Sequence, residues 1–234
     1  KVGKGAFMET EMEARKLAEL MVAIARLSGR EAVGLLSDMN QPLGNAVGNA
    51  LELKEALATL QGQGPQDFYE HCMQVASHML VLGKTAPNLA EGRRMAEAAL
   101  TDGAALAKFR TLVEIQGGDV RYVDEPALLP LAQIIAEIPA PQSGYLSEIN
   151  AREIGEASVD LGAGRAKKGE AIDPAVGLII YHKVGEYVEK GQPLFAVHAN
   201  TPARFDQAKV RVLSAHHFTA TPVKALPLFY GVVA

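Results

Sequence analysis

The stretch of this chain richest in chemistry is Ser37 to Glu55, SDMNQPLGNAVGNALELKE. Asp38, Asn40, Pro42, Gly44 and Gly48 are residues that break regular structure, and an irregular backbone leaves carbonyl oxygens available around Leu43 to Ala46. Glu55 lies two helical turns beyond Gly48, so its carboxylate could return toward that loop. Carbonyl oxygens with one carboxylate suit a hard or monovalent cation; zinc would want His or Cys. The spacing also fits ordinary capping of a helix N-terminus, which is the commoner use of such residues. Both readings stand on these residues alone.

A second candidate is Gly3-Lys4-Gly5-Ala6, a glycine turn that could bring backbone amides close to a ligand. It lacks the third glycine of a dinucleotide fingerprint and the Gly-Lys-Ser/Thr ending of a phosphate loop, so a tight turn explains it better on local evidence. Phe7 beside it fits a core position or a platform for a planar base. No Ser-His-Asp or Cys-His set is apparent, and no catalytic residue is assigned. His71 and His78, seven apart on one helix, flank core or solvent, and His216-His217 reads as surface. Cys72, the single cysteine, falls in a helical apolar pattern and reads as buried filler. Arg165, Lys167 and Lys168 read as a solvated turn.

These residues need elements to position them, and the chain has two textures. Residues 1–115 are helix-rich. The chain opens on what reads as the end of a strand running into a turn and a helix, so it is expected to be the C-terminal part of a longer enzyme. Thr10 and Glu13 form a capping box, Leu17, Ala18, Met21, Ile24 and Ala25 recur at helical spacing, and Gly29 supplies a stop. Ala32 to Ser37 reads as a parallel strand buried on both faces. Asn49 with Glu52 opens a helix that ends at the Gln61 to Pro65 break, and helices follow at 66–83, 89–101 and 103–115. The proline-bearing stretch Pro126 to Pro141 reads as a domain boundary.

Beyond it the pattern is β-rich. Gly144 to Ile149, Gly177 to His182, two pieces within Lys183 to Leu194, and Leu226 to Val233 read as strands, with a helix over Ile154 to Leu161 capped by Gly162. The Lys183 to Leu194 stretch also looks like one arm of a biotinyl or lipoyl carrier domain. No Met-Lys-Met or Asp-Lys-Ala turn follows to present a carrier lysine.

Composition bounds the rest. The 234 residues carry a formal charge of -4, with 48% apolar and 21% charged residues, the profile of a globular protein and not of a nucleic-acid-binding surface. The apolar runs are too short to cross a membrane, and one cysteine fits a reducing compartment, so a cytoplasmic location is expected.

Seven stretches in order carry a resemblance: KVGKGAFM at 1–8, SDMNQPLGNAVGNALELKEA at 37–56, GAALAKFRTLVEIQGGD at 103–119, SGYLSEINAREIG at 143–155, LGAGRAKKGEAID at 161–173, VGLIIYHKVGEYVEKGQPL at 176–194 and VHAN at 197–200. Together they resemble the pyrimidine-nucleoside and thymidine phosphorylases. The resemblance implies an α/β fold: the C-terminal part of a mixed α/β nucleoside-phosphorylase domain over 1–130, then a small α+β domain over 140–234. It implies a pentosyltransferase for which inorganic phosphate and a pyrimidine nucleoside are substrates, acting as a homodimer. Leu43 and Ala46 match backbone ligands of a structural potassium ion, Glu55 matches its carboxylate ligand, and Phe7 matches an apolar wall of the base pocket. No organic cofactor is implied.

The family's Lys-His-Ser-Thr-Gly-Gly phosphate loop, its Lys-Met-Ser segment and its pyrimidine-gripping Arg, Ser and Lys are absent from these residues. The chain alone is therefore expected to be inactive without the N-terminal portion of the enzyme. Two other readings compete: a β-rich docking module at 140–200, which would ignore potassium, phosphate and nucleoside, and a phosphoribosyltransferase, against which the GYLSEI and HKVGEYVEKG stretches argue.

Overall fold

A computed structural model of the chain describes residues 1–165 and 167–234; Ala166, inside the 161–173 stretch, lies outside the described residues. The first half runs α1 (Glu11–Leu27), β1 (Gly34–Ser37), β2 (Ala46–Val47), α2 (Asn49–Leu60), α3 (Gln66–Leu82), α4 (Leu89–Thr101), α5 (Ala104–Ile115) and α6 (Arg121–Asp124). The second half runs β3 (Ile134–Pro139), β4 (Gly144–Ile149), α7 (Ala151–Leu161), β5 (Gly177–Ile180), β6 (Tyr187–Val188), β7 (Pro193–Ala199), α8 (Pro202–Ser214), β8 (His216–Thr219) and β9 (Phe229–Val233). The fold is mixed α/β.

Two compact units form from discontinuous segments. The first combines Lys1–Thr10, Asp38–Leu53 and Leu129–Pro227. Its four-stranded sheet has the order β2-β5-β7-β3 and its three-stranded sheet the order β6-β4-β8, with every pairing antiparallel. Apolar residues on these strands, several of them consecutive on β5 and β7, make a core with one face of α7 and of α8. Leu146, Ile149, Ile154, Leu178, Ile180, Leu194, Phe195 and Val212 are all fully buried in it. α7 starts where the Asn150 side chain accepts from the Arg152 and Glu153 amides. It stops at Gly162, whose φ of 113° suits glycine.

The second unit combines Glu11–Ser37, Lys54–Leu128 and Leu228–Ala234. Here α3 packs on α4 through Gly92, where an added β carbon would stand 2.9 Å from the Ser77 carbonyl oxygen. β1 and β9 form a two-stranded antiparallel ribbon under α1. The helices come where apolar spacing predicts them, because Pro65, Asn88 and Gly103 punctuate that spacing.

Three local expectations change. The strand read over Ala32 to Ser37 is β1, but its ladder partner is the antiparallel β9, and Gly34 and Leu35 are only half-buried. Parallel pairing survives as a single bridge between Val2 and Asp38. The two strands read within Lys183 to Leu194 form in different sheets: β6 joins β4, while β7 lies between β5 and β3. His216, read as surface, is buried, because β8 lays it against the Phe195 ring at a centroid distance of 5.6 Å.

Candidate functional site

The loop between β1 and α2 is held in the first unit by backbone and side-chain hydrogen bonds. Asp38 takes the Asn40 side chain at 2.7 Å and its amide at 3.1 Å, a local turn that short polar residues favour. The Asn40 carbonyl accepts from the Ala151 amide at 3.0 Å, which ties the loop to the start of α7. The N-terminal turn closes over the same place. Met39 donates its amide to the Val2 carbonyl at 2.6 Å, and Gly5 donates to the Met39 carbonyl at 2.9 Å. A β carbon on Gly3 would fall 2.6 Å from the Asn40 side chain, so this glycine permits a close approach within the protein.

Leu43 lies in the next part of the loop, and Ala46 opens β2 just after it. Gly44 between them has a φ of 67°, which reverses the chain before Ala46 pairs with Ile179. Segment 180–184 grips this part from outside. The Ile180 amide donates to the Asn45 carbonyl at 2.8 Å, and the Val184 amide donates to the Gln41 side chain at 2.8 Å. Lys183 Nζ donates to the carbonyls of Pro42, at 2.7 Å, and Gly44. The loop's backbone oxygens thus already hold one cationic group, which is the donor chemistry a potassium ion prefers: hard, neutral oxygens on irregular backbone. The oxygens that Lys183 holds are those of Pro42 and Gly44, which flank Leu43, and not the carbonyls of Leu43 and Ala46.

The loop then feeds α2. Glu52 accepts from the Gly48 amide at 3.0 Å while its own amide donates to the Gly48 carbonyl at 2.8 Å, a reciprocal cap. The Asn49 side chain instead donates to the Ala163 carbonyl at 2.8 Å. Glu55 lies further along α2, half-buried, in the part that belongs to the second unit. Phe7 is fully exposed at the N-terminal turn, and the neighbouring Lys4 pairs with Glu148 at 2.5 Å. The structure therefore places Leu43 in the loop, Ala46 at the start of β2, Glu55 on α2 and Phe7 in the N-terminal turn.

Lys183 and Gln41 escaped sequence reasoning. Lys183 belongs to a strand-turn pattern and lies 139 residues from Gly44 in sequence, so no local spacing connects them.

The remaining candidates are structural. The half-buried Cys72 thiol has its pKa pushed up by burial, which disfavours the nucleophilic thiolate. His71 stacks on Phe229 at 5.0 Å. Among the described residues no three His, Cys, Asp or Glu side chains converge as a metal site, and no helix is long and apolar enough to cross a membrane. A hollow of about 220 Å³ between α3 and α4 includes Arg93 in its lining, but that guanidinium is already paired with Glu70 and Glu97. His78 also lines it, but Phe7, Leu43, Ala46 and Glu55 do not.

Two family models match. Residues 1–106 match the a/b domain of a glycosyl transferase family, and residues 145–219 match the pyrimidine nucleoside phosphorylase C-terminal domain. A pyrimidine-nucleoside phosphorylase of Geobacillus stearothermophilus is 46% identical over 234 residues, covering 100% of this chain and 54% of that protein. That of Staphylococcus epidermidis is 50% identical over 201 residues, covering 86% of this chain and 46% of its own length. The Bacillus subtilis protein is 49% identical over 200 residues, again 86% of this chain and 46% of its own. The chain spans about half the length of the curated relatives it matches.

Proposed function

The chain belongs to the pyrimidine-nucleoside phosphorylase family, and we propose that the protein carrying it catalyses reversible phosphorolysis of uridine, thymidine or deoxyuridine. Inorganic phosphate attacks C1′, the bond from C1′ to the base nitrogen breaks, and the products are free base and (deoxy)ribose 1-phosphate. Phosphate and nucleoside must be aligned and the departing base stabilised as negative charge develops on it. The observation that carries the reading is the similarity over 1–106 and 145–219 to a transferase domain followed by the phosphorylase C-terminal domain.

Within that reaction this chain supports the site and does not perform the chemistry. Phe7 offers an exposed apolar ring to the base. The carbonyls of Leu43 and Ala46, with the carboxylate of Glu55, are the ligands proposed for potassium. Bound there, the ion would neutralise converging oxygen dipoles and stiffen the loop. Residues 1–130 complete the central α/β domain, and 140–234 form the C-terminal domain. The phosphate-gripping and base-gripping side chains come from an N-terminal portion, the working protein is a cytoplasmic homodimer, and the 234 residues alone are inactive.

The test is phosphate-dependent release of uracil or thymine by the intact protein that carries this sequence. Release that does not depend on phosphate, or none from any of the three nucleosides, would reject the activity. Turnover by the 234-residue chain by itself would reject its proposed dependence on further sequence.

A further inference from the structure

Lys183 follows β5 by three residues, and its side chain ends on two backbone oxygens of the loop that carries Leu43. The contact belongs to a set. The Ile180 and Val184 amides, on either side of it, donate to Asn45 and Gln41. A run of residues 180–184 thus holds 41–45 at four points, three of them backbone acceptors. An ammonium with two carbonyl acceptors fixes the direction in which those peptide units face, and it offsets the mutual repulsion of oxygens brought close together. Lys183 is half-buried, so solvent and salt weaken this hold less than at an open surface.

The geometry points to Lys183 as a positioning residue for the cation loop. It acts as a tethered cation that keeps the loop's carbonyls in a ligand-presenting arrangement before any free ion arrives. This inference rests on the cation reading of Leu43 and Ala46 given above. Two effects oppose each other. A fixed positive charge repels an incoming ion, and pre-ordering the loop removes an entropy cost from binding. Nζ keeps its full charge, but the two carbonyl dipoles facing it and the solvent at this half-buried position offset part of the repulsion, and ordering prevails. Removing Lys183 should therefore weaken potassium binding; were repulsion dominant, removal would strengthen it.

The experiment compares the intact protein with its Lys183→Met and Lys183→Arg variants by two readouts. The first is amide hydrogen exchange across residues 41–46 without potassium. The second is thermal melting while KCl replaces choline chloride at constant ionic strength. Lys183→Met should exchange these amides about tenfold faster and need about tenfold more potassium for half of the melting shift. Lys183→Arg, which keeps the charge and two donors, should stay much closer to the parent in both. A potassium midpoint that is unchanged or lower in Lys183→Met overturns this inference alone. An unmutated protein whose melting ignores potassium overturns the cation reading, and this inference falls with it.

Discussion

Gly48 and Gly177 meet where the candidate loop enters α2: a β carbon built on Gly48 would lie 2.9 Å from the Gly177 Cα and 2.6 Å from the Val176 carbonyl oxygen. The reverse substitution is tighter still, since a β carbon on Gly177 would stand 2.3 Å from the Val47 carbonyl oxygen. Both glycines also hold positive φ, at 139° and 156°. Gly177→Ala should therefore combine overlap with backbone strain and cost about 2–4 kcal/mol. Gly155→Ala, on α7 with no atom within 4 Å of its β carbon, should be neutral or slightly stabilising. Chemical denaturation of the two variants checks the contrast.

His216 should make stability depend on pH. Nδ1 donates to the Val212 carbonyl at 2.7 Å, while among the described residues buried Nε2 finds no partner. Burial depresses its pKa from 6.5 to about 4. Between those values the unfolded chain binds the proton and the folded chain does not, so acid favours unfolding. The His216 contribution is fully present above pH 6.5, falls as pH drops, and has lost about 3 kcal/mol once pH reaches 4. His216→Phe keeps the stacking with Phe195 and cannot titrate. It should flatten this part of the stability–pH curve, measured by urea unfolding between the two pKa values.

The two predictions draw on features with different visibility in the sequence. Helices α3, α4 and α5 were legible because Pro65, Asn88 and Gly103 interrupt a 3.6-residue apolar rhythm. β3 was hidden by the prolines that frame it, since Pro126 to Pro141 reads as a linker until β7 is there to pair with it. α8 carried a start signal in Thr201-Pro202, where the threonine side chain accepts from the Arg204 amide, but its helical face went unread. β1 was found and its partner was not, because β9 arrives at the far end of the chain. The loop at 37–48 announced itself through Asp, Asn, Pro and Gly. What holds it, namely Lys183, Ile180 and Gly177, is invisible to any local pattern.

Arg211 on α8 bonds Glu153, Glu156 and Asp160, three carboxylates along one face of α7. One guanidinium thus neutralises a row of like charges and fixes the helix pair. Arg211→Met would leave the carboxylates facing each other beside an apolar stem. About a quarter of the Arg211 side chain is exposed, so screening limits the loss to about 1–2 kcal/mol. Melting should show that loss at low ionic strength, and about 0.5 M salt should recover part of it, because the residual repulsion is screened. A deficit independent of salt would assign the effect to packing of the arginine stem.

Phe7 offers a sharper division between structure and function. Its ring is fully exposed, so truncation removes no packing, and Phe7→Ala should leave stability within about 0.5 kcal/mol of the parent. If the ring forms a wall for the pyrimidine, that contact is worth about 1 kcal/mol, and its loss should raise the nucleoside KM roughly fivefold. Phosphate makes no use of an apolar ring, so its KM should not move. Phe7→Leu, which keeps an apolar surface without the π face, should fall between the two for nucleoside. Steady-state kinetics on the intact protein, varying each substrate in turn, separates the cases. Equal effects on both substrates would mean that Phe7 acts through the N-terminal turn, where Gly5 and Met39 are joined, and not on the base.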